Sequence, residues 1–246
     1  MKCTLPLALT FLTILPWPRL SPAGPQDLAR SMFWFPWVGL VLGLGFWGAW
    51  LGLLRLFPAP AAAALLLSLT VLLTRGLHLD GLADTVDGLG GGQDPEARLK
   101  IMKDSHLGAF GAVSLILVLL LKFTFLSALA EKGPEEALLL FPIISRWGMV
   151  FLAYLSPYAR PEGGLGQAMT EGVQGRAFIG ATLSALGLAF LVFGPMGLVL
   201  LALGGGVVWL LSRFFHRKLG GITGDVLGAA NEVLEVLALG GALLLF

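Results

Sequence analysis

LGAFGAVSLILVLLLKFTFLSALA, residues 107–130, holds 24 residues and a single charge, Lys122. The hydrocarbon core of a bilayer takes roughly 20 apolar residues as helix. This run is long enough to cross a membrane. Working outward from it, six further runs read the same way on hydropathy: Met32–Phe57, Pro60–Leu77, Ala137–Leu155, Ala177–Phe193, Gly197–Phe214 and Val226–Phe246. Prolines and the Gly194-Pro195 pair punctuate the turns between them. The expectation is an all-α, polytopic integral membrane protein with about seven transmembrane helices, forming one membrane domain over residues 1–246. The alternative, a soluble α/β protein with a greasy core, fits poorly with a chain that is 57% apolar and 13% charged, at mean hydropathy +0.86.

The N-terminal segment MKCTLPLALTFLTILPWP has a signal-peptide look, with Ser21-Pro22-Ala23 as a weak cleavage site. Pro16 and Pro18 break it, which favours an interfacial or re-entrant helix over about Thr4–Leu15. A net charge of +1 leaves no global field to attract nucleic acid. Cys3 is the single cysteine, so an internal disulfide and a multi-cysteine zinc site are excluded. With seven spans, 13 of the 16 Lys and Arg residues, from Lys2 and Arg19 to Arg217 and Lys218, fall on one side. The positive-inside rule makes that side cytoplasmic and the C-terminus external. Arg55, Lys122 and Lys132 fall on the other side, where Lys122 is read as snorkelling to the interface.

The polar residues of this oily chain gather in three blocks. GLHLDGLADTVDGLGGG, residues 76–92, places Asp80, Asp84 and Asp87 at i, i+4 and i+7, one face of a helix at the cytoplasmic mouth of the second span. Three like charges on one face require a compensating cation. Mg²⁺, which takes oxygen ligands and accompanies substrate phosphates, is the natural candidate. The glycines at 88 and 90–92 suit either a helix end that lets backbone N–H groups approach phosphate, or a plain loop. His78 suits either substrate contact or a satisfied interior site. ARLKIMKDSHLGAFG, residues 97–111, brings Arg98, Lys103, Asp104, Ser105 and His106 just ahead of the third span. The cations suit phosphate oxygens, and Asp104 suits a metal ligand or a base. GGITGDVLGAANEVLE, residues 220–235, sets Asp225 and Glu232 seven apart on one face. Gly220, Gly221 and Gly224 precede that helix, an anion-binding arrangement, while Thr223 reads equally as its N-cap. Glu232 and Glu235 fall in or near the membrane, where acids are costly and usually functional. Arg146, inside the fourth span, is expected to point into the bundle toward an acid or a phosphate.

FLTILPWP (residues 11–18), GLHLDGLADTVDGLGGG, RLKIMKDSHLGAFG and LGGITGDVLGAANEVLE occur in this order. Together they resemble the cobalamin synthase, or adenosylcobinamide-GDP ribazoletransferase, family over essentially the whole chain. The resemblance implies a Mg²⁺-dependent inner-membrane enzyme late in vitamin B12 biosynthesis. Such an enzyme joins adenosylcobinamide-GDP to α-ribazole or its 5′-phosphate, and releases GMP. On that reading Asp80, Asp84 and Asp87 form the principal metal cluster. Asp225 and Glu232 complete it or hold a second ion. Asp104 or Asp87 deprotonates the ribazole hydroxyl. His78, Arg98, Lys103, Ser105, His106, Arg146, Gly221 and Thr223 contact substrate. The expected partners are the two substrates and the lipid bilayer, with no nucleic acid. Glycine-rich faces permit a homo-oligomer.

Two rival readings are weighed beside it. CDP-alcohol phosphotransferases carry a DGxxAR motif, but here Asp84 stands where their arginine would. An ion-coupled transporter places its acids near the bilayer midplane, whereas these cluster at a cytoplasmic edge.

Overall fold

A computed structural model of the protein describes residues 4–17, 24–173 and 175–245. Lys2, Cys3, Arg19 and the Ser21-Pro22-Ala23 site lie outside these. Among the described residues every regular element is helical: α1 (Leu5–Leu12), α2 (Pro25–Ser31), α3 (Phe35–Leu56), α4 (Ala59–Thr74), α5 (Leu77–Gly91), α6 (Pro95–Ile101), α7 (Ala109–Lys132), α8 (Ala137–Leu155), α9 (Leu165–Gly172), α10 (Gly175–Leu219) and α11 (Gly224–Leu245). A short 3₁₀ turn, Met32–Trp34, joins α2 to α3. Prolines open α1, α2, α3, α4 and α6 at their first turns, where a missing N–H costs nothing.

α8 is the central post. It packs against α3, α10 and α11, and its apolar residues are buried almost throughout. α7 is its opposite: Val113, Ile116, Leu117 and Leu120 stand exposed along its outer face. An apolar face of this kind is stable against lipid rather than water.

Among the described residues, five helices are long and apolar enough to cross a membrane. The longest, α10, is two arms. Gly194 has φ 59° and ψ −144°, outside any helical region. The Trp147 indole donates to Thr182 Oγ1 at 3.1 Å, and the same ring lies against Gly205. In one straight helix Thr182 and Gly205 would stand about 34 Å apart. The chain therefore reverses at Gly194-Pro195, as its sequence predicted, and the two arms run antiparallel beside α8.

The second expected span is broken. α4 ends at Thr74, and α5 leaves it at 87°. Arg75 (φ 56°) and Gly76 (φ 64°) are both left-handed, a conformation that ends helices. Arg75 is held there by its Nη2, which donates to the carbonyls of Thr10 and Thr13 at 3.0 Å each. Ile14 N–H donates to the Leu73 carbonyl at 2.8 Å. The short N-terminal helix thus docks on the break. At eight residues it is about 12 Å long, too short to cross a bilayer. With the bent pair as one pass and the two arms of α10 as two, the bundle makes seven passes.

Candidate active site

α5 carries Asp80, Asp84 and Asp87, and α11 begins beside Asp225. The two helices cross without side chains between them. A Cβ on Gly81 would stand 2.7 Å from the Asp225 carbonyl oxygen, and one on Gly228 would stand 3.2 Å from the His78 backbone. This close approach brings Asp80 and Asp84 into electrostatic range of Asp225. Asp80 and Asp84 line a groove of about 790 Å³ with Arg75, Leu79, Ser105 and Leu107. Neither aspartate's side chain carries a hydrogen bond or an ion pair among the described residues. Asp225 is held by Arg160, whose Nη2 donates to Oδ2 at 2.7 Å, and by the Thr223 hydroxyl at 3.2 Å.

Arg160 is one of the 13 basic residues on the predicted cytoplasmic side and not one of the expected site residues. It reaches Asp225 because the chain after α8 pairs with the chain before α11. Ile222 N–H donates to the Pro157 carbonyl and Ala159 N–H to the Ile222 carbonyl, both at 2.9 Å. Gly221 is the residue that fits against Pro157 there, so its place is structural. Thr223 takes its bland reading: its Oγ1 accepts the Val226 N–H at 3.3 Å as the cap of α11.

Asp87 departs from the expected cluster. It is buried, and its two oxygens accept the N–H groups of Gly108 and Gly111 at 2.8 Å each. These are orphan donors of the first turn of α7, where the helix dipole favours an anion. In this structure Asp87 is a helix cap and not a free ligand. The glycines after it also differ from expectation. α5 continues through Gly91, with Gly88 and Gly92 against α6 and Gly90 against Phe110. They are packing positions and not a phosphate loop.

Glu232 is likewise apart from the aspartates. It sits in a buried network with Lys122, whose Nζ donates to Glu232 and Glu235 at 2.5 Å each. Arg146 completes the network by pairing with Glu235 and the Ser145 hydroxyl. Arg146 thus points at an acid, one of the two expected options. Lys122 does not snorkel outward: α7 is peripheral, but this side chain turns inward and is 4% exposed. Two cations and two anions balance, which is how charge is tolerated inside a bundle. His78 is buried at the start of α5 beside this network, with Lys122, Arg146 and Glu235 around it. It does not line the aspartate groove.

Of the second block's candidate site residues, only Ser105 lines the groove, with Leu107 beside it. Asp104 is exposed, and its Oδ1 pairs with His106 Nδ1 at 2.6 Å and accepts the His106 N–H at 3.0 Å. That bonding holds the Asp104 carboxyl below its ordinary range. The His106 ring itself is turned to solvent. Lys103 is paired with Glu162. Arg98 is turned away, donating to the carbonyls of Lys218 at 2.9 Å and Gln93 at 3.1 Å.

Among the described residues, no three His, Cys, Asp or Glu side chains stand close enough to enclose a metal ion. What the crossing assembles is three carboxylates, Asp80, Asp84 and Asp225, against one cation, Arg160. That is an anionic excess beside the groove that Asp80 and Asp84 line.

A family model described as cobalamin-5-phosphate synthase matches residues 4–243. An adenosylcobinamide-GDP ribazoletransferase of Syntrophobacter fumaroxidans is 48% identical over 241 residues, 96% of each chain. Proteins of the same name from Desulfitobacterium hafniense (42%; 96% of this chain, 94% of that one) and Chlorobium phaeobacteroides (43%; 94% and 93%) are similar over the same extent. No solved structure matches. The family match spans both sides of the crossing, the aspartates of α5 and Asp225 of α11, and the chain therefore belongs to the cobalamin-5-phosphate synthase family.

Proposed function

We propose that this chain joins adenosylcobinamide-GDP to α-ribazole, or to its 5′-phosphate, at the groove beside α5 and α11. A ribose hydroxyl of the ribazole attacks the phosphorus bonded to the cobinamide. A new P–O bond forms, the pyrophosphate P–O bond breaks, GMP leaves, and adenosylcobalamin or its 5′-phosphate results. The observation that carries this reading is the α5–α11 crossing, which brings Asp225 into electrostatic range of Asp80 and Asp84, the two aspartates that line the groove.

Asp80, Asp84 and Asp225 would hold Mg²⁺, and the free oxygens of the first two fit that role. The ion would supply charge neutralisation to the pyrophosphate and to departing GMP. Arg160 keeps Asp225 in place. Of the two candidate bases, Asp87 has both oxygens engaged. Asp104 has one oxygen held by His106 and adjoins Ser105 in the groove, so it is the better acceptor for the ribazole proton. The rest of the rate gain is orientation of the two substrates. The excess of basic residues on the side of α6 and the chain after α8 supports a groove that opens at the cytoplasmic face of the inner membrane.

The test is turnover by purified protein in lipid, with adenosylcobinamide-GDP, α-ribazole and Mg²⁺, following GMP and corrinoid by mass. Asp84→Asn should lower the rate by about 10²-fold or more while leaving the thermal transition within a few degrees. Full activity in that variant moves the ion elsewhere. No product from the folded wild-type protein defeats the reading.

A further inference from the structure

A second groove of about 660 Å³ lies between Arg98 of α6 and the end of α10, and it shares no lining residue with the aspartate groove. Its wall is the last turns of α10. Trp209, Arg213 and Arg217 recur every four residues on one face, and Leu210, Phe214 and Lys218 repeat the interval beside them. Arg98 closes the far side through its bond to the Lys218 carbonyl, and its Nε is buried without a partner. Among the described residues, none of Arg213, Arg217 and Lys218 pairs with an acid. The Arg213 guanidinium lies 6.0 Å from the Trp209 ring centre. Trp209 and Leu210 are more than half exposed.

We infer that this groove binds the headgroup of an anionic phospholipid, its phosphate at Arg213, Arg217 and Lys218 and an acyl chain along Trp209, Leu210 and Phe214. Uncompensated cations at the end of a membrane helix call for an anion. An exposed tryptophan and leucine one and two turns further into the span call for hydrocarbon, and indole belongs at the boundary between the two. A soluble phosphate would satisfy the first requirement and not the second. Arg98 also packs against Gly88 of α5 and Gly92 at its C-terminal cap, so an occupied groove would brace the helix that carries Asp80 and Asp84.

Native mass spectrometry of the full chain in detergent, titrated with phosphatidylglycerol or phosphatidylcholine of the same acyl chains, tests this directly. Phosphatidylglycerol should bind preferentially. Arg213→Gln, Arg217→Gln and Lys218→Gln combined should cut that preference by roughly tenfold or more. Removing three exposed cations elsewhere, Arg30→Gln, Lys100→Gln and Arg176→Gln, should leave it. If the triple variant does not fold, Arg217→Gln alone should still weaken the preference by a few-fold. Equal binding of the two lipids, or a preference that survives the groove variant, overturns the inference. Displacement of the lipid by millimolar inorganic phosphate would reassign the groove to a soluble anion.

Discussion

At the scale of single residues, carboxylates seven positions apart do different work. Asp80 and Asp84 stand free on the groove wall, while Asp87 caps α7. Asp87→Asn offers the Gly108 and Gly111 N–H groups a single neutral oxygen in place of two charged ones. It should cost about 1–3 kcal/mol, read as a lower thermal midpoint. Asp84→Asn should show the reverse pattern, with a lost rate and an intact fold. Asp104 gives a pH signature. Its hydrogen bonds from His106 lower its pKa, so the carboxylate persists to lower pH than usual. His106→Ala removes the side-chain bond and lets the pKa rise toward ordinary. If Asp104 is the base, the acid limb of kcat/KM should then move to higher pH, and Asp104→Asn should abolish that limb. An acid limb unchanged in His106→Ala would move the base to another carboxylate.

At the scale of elements, what holds the groove wall in place is the contact of α5 with α11 and the buried charges behind it. Lys122 of α7 ties to Glu232 and Glu235 of α11, and Arg146 of α8 joins them. Lys122→Met leaves two acids facing one cation inside the bundle and should cost about 3 kcal/mol or more. Adding Glu232→Gln to that variant restores neutrality and should recover part of the lost thermal midpoint. No recovery would show that Lys122 acts through packing alone. Hydropathy located these elements well: the fourth run coincides with α8, and the others fall within a few residues of their helices. It carried depth and not direction. Lys122 therefore read as reaching outward, because nothing in a uniformly apolar run marks which side of α7 meets α11. The break at Arg75-Gly76 was hidden for a related reason. Apolar residues continue up to it, and the groups that stabilise it, the carbonyls of Thr10 and Thr13, lie more than 60 residues away. Asp80, Asp84 and Asp225 were legible because clustered acids in an oily chain demand an explanation. Arg160 was not, because its partner is 65 residues on.

At the scale of the whole molecule, seven passes put the loop after α5, the chain after α8 and the end of α10 on one side, and the turn between α7 and α8 on the other. The reversal at Gly194 decides this arrangement. If α10 crossed only once, Arg176 and Arg217 would face opposite compartments. If its arms run antiparallel beside Trp147, the two residues face the same one. Cysteines placed singly at Lys100, Glu135, Arg176 and Arg217, in a Cys3→Ser background, separate these cases. An impermeant maleimide added to intact spheroplasts should label the cysteine at 135 alone. Permeabilisation should then expose those at 100, 176 and 217 together. Labelling of 176 and 217 from opposite sides would undo the hairpin, and with it the seven-pass bundle that sets Asp225 beside Asp84. A reversed pattern would keep the bundle and turn the aspartate groove outward, away from any nucleotide-activated substrate made in the cytoplasm.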